Sequence, residues 1–241
     1  MSGARSTFAS SEVGVASRSM VRVMTANLYG IHARPDAVAG LLDEHRPDVV
    51  AIQELAPAVA EVIAARYPYR LLGPRPDAAG WGVALRFPAT FGVIPHERRA
   101  GRWARFSAPG FPRLEVVSMH LANPVDFPWW EAVRARREQL DALERHLAVS
   151  PAPCRLVVGD MNATPLWPAY RRLARGRRDL VARAAARSGR RPSPTWSYRF
   201  GLPRVLRIDH VFGEGVDVAE VSVVPVPRSD HAALIVEVVP A

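Results

Sequence analysis

Residues 156–165 read LVVGDMNATP, an apolar run that breaks off at Asp160 and Asn162 and passes into a Pro-containing loop. A run of Leu and Val fits a strand buried on both faces. A carboxylate inside such a strand carries a heavy desolvation cost, which one at the strand end escapes. Four other segments have the same form: VRVMTAN reaching Asn27, DVVAIQE reaching Gln53 and Glu54, LEVVSMH reaching His120, and VLRIDH reaching Asp209 and His210. Five buried strands ending in polar groups predict an α/β fold with one polar rim. Open α/β sheets bind ligands beyond the carboxyl ends of their strands, so the rim is the expected pocket.

The 241 residues are 49% hydrophobic, enough for a substantial core, and one domain over residues 21–241 is expected after a tail over residues 1–20 rich in Ser, Ala and Gly. No apolar run in that tail is long enough for a signal-peptide core or a membrane span, which reads as a cytoplasmic protein. Cys154 is the single cysteine, so an intrachain disulfide and a Cys-based zinc site are excluded, and a small buried apolar role is expected. The net charge is +9, and all 32 basic residues are Arg. That bias weakens an inference from basicity alone to nucleic acid. Residues 171–191 hold nine Arg against Asp179, so this segment carries +8 of the total. Such chain is either solvated or neutralises phosphates.

Around the central stretch, Pro35–His45 predicts a helix with Val38, Leu41, Leu42 and His45 on one face, and Pro57–Arg66 a second. Residues 67–79 read as irregular chain, and Gly82–Phe87 with Phe91–Pro95 as a hairpin. Arg86 contacts phosphate or covers an edge. HERRAGRWARF, residues 96–106, reads as a solvated hairpin tip that could touch a polyanion. From Trp130 onward Val133, Arg137, Leu140, Leu143 and Leu147 give the period of a long amphipathic helix. Trp129 and Trp130 at its start either staple it to the core, the favoured reading, or form an apolar lip beside His120. Final strands are expected at Val205–Phe212, Val216–Val224 and Ala232–Val238, with Asp230 and His231 on the loop PRSDH.

Four carboxylates, Glu54, Asp160, Asp209 and Asp230, stand with Asn27, Asn162, His120 and His231 at these strand ends and loops. Carboxylate and carbonyl oxygens suit Mg²⁺ or Mn²⁺. HExxH, GxxxxGK[ST] and GxSxG do not occur, which argues against a metalloprotease, a P-loop NTPase and an ordinary serine hydrolase.

In order, TANLYG, AIQEL, SMHL, GDMNATP, RIDHVF and RSDHAAL resemble the endonuclease/exonuclease/phosphatase superfamily, magnesium-dependent phosphoesterases similar to DNase I and exonuclease III. The resemblance implies a four-layer α/β sandwich, two packed mixed β-sheets flanked by helices. It also implies site roles. Glu54 is the main metal ligand, with Asn27 near the metal water and Asp230 assisting. Asp209 orients His231, which takes a proton from the attacking water, although Asp160 is the base in some accounts of the family. Asp160 and Asn162 position the water and the scissile phosphate, and His120 stabilises phosphoryl or leaving oxygens.

The expected activity is Mg²⁺- or Mn²⁺-dependent phosphoester hydrolysis by a monomer. A nucleic acid substrate, and hence a nuclease, comes first on the Arg-rich segment. The alternative is a phosphatase on a phosphorylated small molecule or lipid: HLANP, the Trp pair, PTWS and RIDHVF are similar to the small bacterial branch of VanJ-type proteins, which implies a lipid pyrophosphate. Trp129, Trp130, Trp196 and Arg86 are the candidate substrate contacts. A catalytically inactive binding module is the third reading.

Overall fold

The computed structural model describes residues 19–125, 128–199 and 201–241, so most of the expected N-terminal tail lies outside the described residues. In chain order the first half holds β1 (Val21–Asn27), α1 (Pro35–His45), β2 (Val49–Gln53), α2 (Pro57–Arg66), β3 (Tyr69–Gly73), β4 (Trp81–Leu85), β5 (Ala89–Ile94) and β6 (Gly101–Ala108). The second half holds β7 (Phe111–His120), α3 (Trp129–Val149), β8 (Cys154–Asp160), α4 (Pro168–Leu173), β9 (Arg178–Asp179), α5 (Leu180–Arg187), β10 (Asp209–Glu214), β11 (Val216–Pro225) and β12 (Ala232–Pro240). Two six-stranded mixed sheets result, ordered β11-β12-β1-β2-β4-β3 and β5-β6-β7-β8-β10-β9.

The period of two along each strand explains the layers. Val21, Val23, Val49 and Ala51 of the first sheet meet Leu114, Val116, Leu156 and Val158 of the second in one buried cluster. The opposite parity, Met24, Val50 and Ile52, packs on Val38, Leu42, Val59 and Ile63 of α1 and α2. On the other side Val117, Met119 and Val157 pack on Leu140, Leu143 and Leu147 of α3. Helices, sheet, sheet, helices: the expected four-layer sandwich is the observed fold.

That parity also aims the polar residues. Thr25 and Asn27 continue the inward row of β1, Gln53 that of β2, Ser118 and His120 that of β7, and Asp160 that of β8. Gln53 Nε2 donates to Ser118 Oγ at 3.0 Å, a polar bridge between the two sheets where the apolar core gives way to the site. Gly159 lets this happen: its φ is +130°, and a Cβ there would lie 2.0 Å from the Met119 carbonyl oxygen. Gly159→Ala is therefore expected to lower unfolding stability by more than about 2 kcal/mol and to displace Asp160, read by denaturant melts alongside activity.

Several sequence expectations change. Residues 69–73 form a strand, not irregular chain. The supposed hairpin splits, because β4 pairs with β2 and β3 in one sheet while β5 pairs with β6 in the other. The stretch 96–106 is only partly a tip, since β6 begins at Gly101. β10 starts at Asp209 and runs antiparallel to β8, so RIDH opens its strand instead of closing it. On α3 the buried polar residues are Arg136 and Gln139, whereas Val133 and Arg137 face solvent. Gln139 Nε2 donates to the His120 and Arg99 carbonyls, and Arg136 Nη1 donates to the Ala122 and Asn162 carbonyls. They satisfy strand-end backbone groups, which an apolar period cannot reveal. Cys154 is only half-buried, its Sγ directed at the Gly215 carbonyl. Among the described residues, no helix is long and apolar enough to cross a membrane.

Candidate active site

At the polar end of the inter-sheet core lies a groove of about 270 Å³. Asn27, Glu54, His120, Asp160, Asn162 and His231 line it, with Asp230 and Trp196 on the same wall. Asn27 is its hub. Its Oδ1 accepts the Tyr29 N–H at 2.9 Å, which turns the NH₂ toward two carboxylates, Glu54 Oε1 and Asp160 Oδ2, each at 3.2 Å. One carboxylate comes from each sheet.

The backbone is bent to present these groups. Among the described residues, five non-glycine positions have positive φ: Tyr29, Glu54, Asn162, Arg228 and, away from the site at the end of α1, Arg46. Such conformations cost energy and collect at functional sites. The left-handed turn at Asn162 folds its N–H back onto Asp160 Oδ1 at 2.8 Å, while its side-chain amide donates to the Leu121 carbonyl at 3.0 Å.

His231 Nδ1 lies 2.8 Å from Asp209 Oδ2, and its Nε2 faces Asp160 Oδ2 at 3.8 Å. The pair is fixed from both sides. Thr195 Oγ1 accepts from the Ile208 and Asp209 N–H groups, and Ser229 Oγ accepts from the His231 N–H while donating to the Asn27 carbonyl. Burial alone would lower the His231 pKa, but the charges of Asp209 and Asp160 overcome it and raise it to about 10. Burial pushes Asp209 up. Burial also opposes the Asp160 charge, yet His231, His120 and the Asn162 N–H hold that carboxyl below the ordinary range. His231 thus lies between the carboxyl groups of Asp209 and Asp160.

Arg99 Nη1 sits 2.6 Å from His120 Nε2. The same His120 Nε2 lies 3.4 Å from Asp160 Oδ2, and Arg99 brings a guanidinium to this edge of the groove. Sequence reasoning did not single out Arg99. Its signal was the basic stretch 96–106, whose lining of the groove only β6–β7 pairing reveals. Tyr29, Asn123 and Trp167 line the groove too and were likewise missed.

Other expected contacts lie elsewhere. Arg86 follows β4 at the end away from Glu54, with its Nε on the Pro47 carbonyl and its guanidinium over Tyr67; it covers an edge. Trp129 and Trp130 are 61% and 56% exposed, so they do not staple α3 to the core, and neither lines the groove. Trp196 does line it, and its Nε1 donates to Asp230 Oδ2 at 2.9 Å. Among the described residues, three of the nine Arg in the Arg-rich segment form ion pairs: Arg172 with Asp141 and Glu144, and Arg183 and Arg187 with Asp217.

The donors fit a hard divalent cation. Glu54 and Asp160 face one another across a single amide, and the buried Asp209 Oδ1 and Asp230 Oδ1 have no hydrogen-bond partner among the described residues. Asp160, Asp209 and His231 also offer ligand atoms within 4.8 Å of one another. His231 Nδ1 is committed to Asp209 there, so the oxygen set of Glu54 and Asp160, with Asp230 nearby, matches the cation better. Asn27 presents N–H groups to those ligands.

Solved structures share this architecture. An endonuclease/exonuclease/phosphatase from Beutenbergia cavernae DSM 12333 superposes with a TM-score of 0.73 at 22% identity, over 93% of this chain and 72% of that one. A humanized TDP2 from D. rerio gives 0.70 at 19% identity over 91% and 99%. The 3' phosphatase NExo from Neisseria, bound to product DNA hairpin, gives 0.69 at 17% identity over 90% and 98%. At these identities the likeness is one of fold. No curated protein sequence matches the chain significantly. The model of the Endonuclease/Exonuclease/phosphatase family matches residues 24–231, and the chain belongs to that family of phosphoester-hydrolysing enzymes.

Proposed function

We propose that the chain hydrolyses a phosphoester with a water molecule held between Asp160, Asn162 and His231, and that the reaction depends on a divalent cation at Glu54 and Asp160. The observation that carries this reading is the His231–Asp209 pair facing Asp160, with His231 Nε2 and Asp160 Oδ2 3.8 Å apart, close enough for one reacting oxygen beside them to hydrogen-bond to both. Asp209 fixes the imidazole tautomer and His231 takes the water's proton. Arg99 donates to the phosphoryl oxygens as their negative charge grows, while Asn162, hydrogen-bonded to both Asp160 oxygens, holds that carboxylate in place. When bound, Mg²⁺ or Mn²⁺ adds charge neutralisation and Lewis-acid polarisation of a phosphoryl oxygen. Glu54→Gln is expected to raise the Mg²⁺ concentration for half-maximal rate by about tenfold or more. An unchanged Mg²⁺ titration would remove Glu54 from the metal site.

Two substrate classes remain. Nucleic acid is supported by an open groove with Arg99, Trp167 and Trp196 on its walls. A phosphate carried by an apolar body is supported by the side chains around the mouth: Val125 is 80% and Leu166 78% exposed there. The pairing of Arg172, Arg183 and Arg187 with acidic groups weakens the Arg-rich segment as a polyanion contact, and we place the apolar class first. The test is hydrolysis of plasmid DNA, abasic-site DNA and a prenyl pyrophosphate side by side, with Mg²⁺, with Mn²⁺ and with EDTA. Metal-dependent cleavage of DNA alone would reverse the order, and silence on every substrate would count against the hydrolase reading.

A further inference from the structure

Exposed apolar side chains are distributed unevenly over the molecule. Of the fourteen large hydrophobic residues exposed among the described ones, only Tyr69, Val93 and Val149 lie away from the groove and the segments that form its mouth. Segment 121–137 carries Val125, Trp129, Trp130 and Val133; segment 164–175 carries Leu166 and Trp167. Segment 196–207 carries Tyr198, Leu202, Val205 and Leu206. Each segment is tied to the site, because Val125, Trp167 and Leu206 line the groove itself. The ends of the third are held together where Trp196 bridges to Leu206 and the Val205 N–H donates to the Trp196 carbonyl at 2.8 Å. An apolar cleft of about 340 Å³ between α3 and α4 shares Pro124 and Trp167 with the groove and extends the same surface.

The charge around this collar is positive. The three segments contain nine Arg against Asp126 and Glu131. Arg136, Arg172 and Arg207 turn inward to carbonyls or carboxylates, but Arg137, Arg171, Arg175 and Arg199 are exposed and have no ion-pair partner among the described residues. Clustered apolar groups of this extent mark an interaction surface. Aromatics among free Arg would also suit a single-stranded nucleic acid, on which bases stack. Six of the ten side chains are aliphatic, however, and Val125, Val133, Leu166 and Leu202 offer a base no flat face. Aliphatic and Trp side chains rimmed by Arg match the headgroup and acyl boundary of an anionic bilayer.

We propose that the collar docks the mouth of the groove on an anionic lipid bilayer, so that the phosphoester hydrolysed is one held at the membrane surface. This deepens the hydrolase reading and rests on it for what the groove does, whereas docking itself is measured without turnover. The full chain is sedimented with vesicles of phosphatidylcholine, with and without phosphatidylglycerol. A triple variant, Leu166→Ser with Tyr198→Ser and Leu202→Ser, changes exposed positions outside the groove lining. Hydrolysis of soluble bis(4-nitrophenyl) phosphate is followed in parallel.

The wild type is expected to sediment with phosphatidylglycerol vesicles and far less with phosphatidylcholine alone, and the triple variant to bind about tenfold more weakly or less. Its rate on the soluble ester stays that of the wild type. Metal-dependent hydrolysis without vesicle binding, or equal binding by the triple variant, overturns the docking and leaves the hydrolase reading standing. Vesicle binding lost in the variant, with no hydrolysis of any substrate, does the reverse. Single-stranded DNA binding lost in the triple variant, with no wild-type affinity for vesicles, reassigns the collar to nucleic acid and overturns the proposal.

Discussion

His231→Ala is expected to lower kcat by about 10³-fold or more with the fold intact, the size of loss that follows removal of a positioned proton-transfer group. His231 is 5% exposed, reaches Asp209 with one nitrogen and faces Asp160 with the other. Its pKa gives the reaction a pH signature. Burial lowers it, but Asp209 and Asp160 outweigh burial and raise it to about 10, and a base works only once deprotonated. The wild-type rate should therefore climb as pH rises above neutral, and the residual rate of His231→Ala should lose that limb. Stability has the opposite sign: a raised histidine pKa contributes most below about 6.5, and that contribution fades as pH approaches 10. Both are measured on purified protein, by initial rates across pH and by thermal melts without added metal. Wild-type turnover by folded His231→Ala protein would remove His231 from the mechanism and leave Asp160 as the candidate base.

The second large effect concerns stability and lies under the C-terminal half of α3. The Glu115 side chain is fully buried, and its oxygens meet Arg105 at 2.7 Å, Ser150 at 2.8 Å, Arg155 at 3.1 Å and His146 at 3.2 Å. Burial opposes its charge, but contacts with His146, Arg105 and Ser150 prevail and hold its pKa at about 2, below the ordinary 4.5. A depressed carboxyl pKa contributes stability that is fully present above about 4.5 and is lost as pH falls through 2. Glu115→Gln leaves the half-buried Arg105 with no acidic partner among the described residues and the buried Arg155 with Glu214 alone, at a cost of about 3 kcal/mol. For a domain of this size the melting temperature should fall by roughly 10 °C near neutral pH, and the gap should narrow in acid as the wild type loses the same charge. A melting curve for Glu115→Gln that overlays the wild type at neutral pH would show the cluster to be energetically neutral.

The sequence alone determined what depends on local pattern. Pro35–His45 and Pro57–Arg66 are helices with the bounds that Pro and the apolar period indicate. The buried strands are legible because a strand covered on both faces must be apolar throughout, and the polar residues ending those runs are legible because burial inside them would cost too much. Family motifs then brought Asn27, Glu54, His120, Asp160, Asn162, Asp230 and His231 to one rim, and the structure gathers them in one groove.

Only the tertiary structure decided what depends on partners distant in sequence. β4 and β5 look like a hairpin until the first finds β2 and the second β6, and nothing local to residues 86–88 records that the chain changes sheets there. Arg136 and Gln139 look like a solvated helix face until the strand-end carbonyls they cap are present. Arg99 enters the site only because its loop returns over His120, and Trp129 and Trp130, which look like core residues in the sequence, are more than half exposed. Asp209 and His231, 22 residues apart, become one hydrogen-bonded pair through the positions of β10 and β12. In each case the deciding energy comes from a contact between segments that the order of residues does not place side by side.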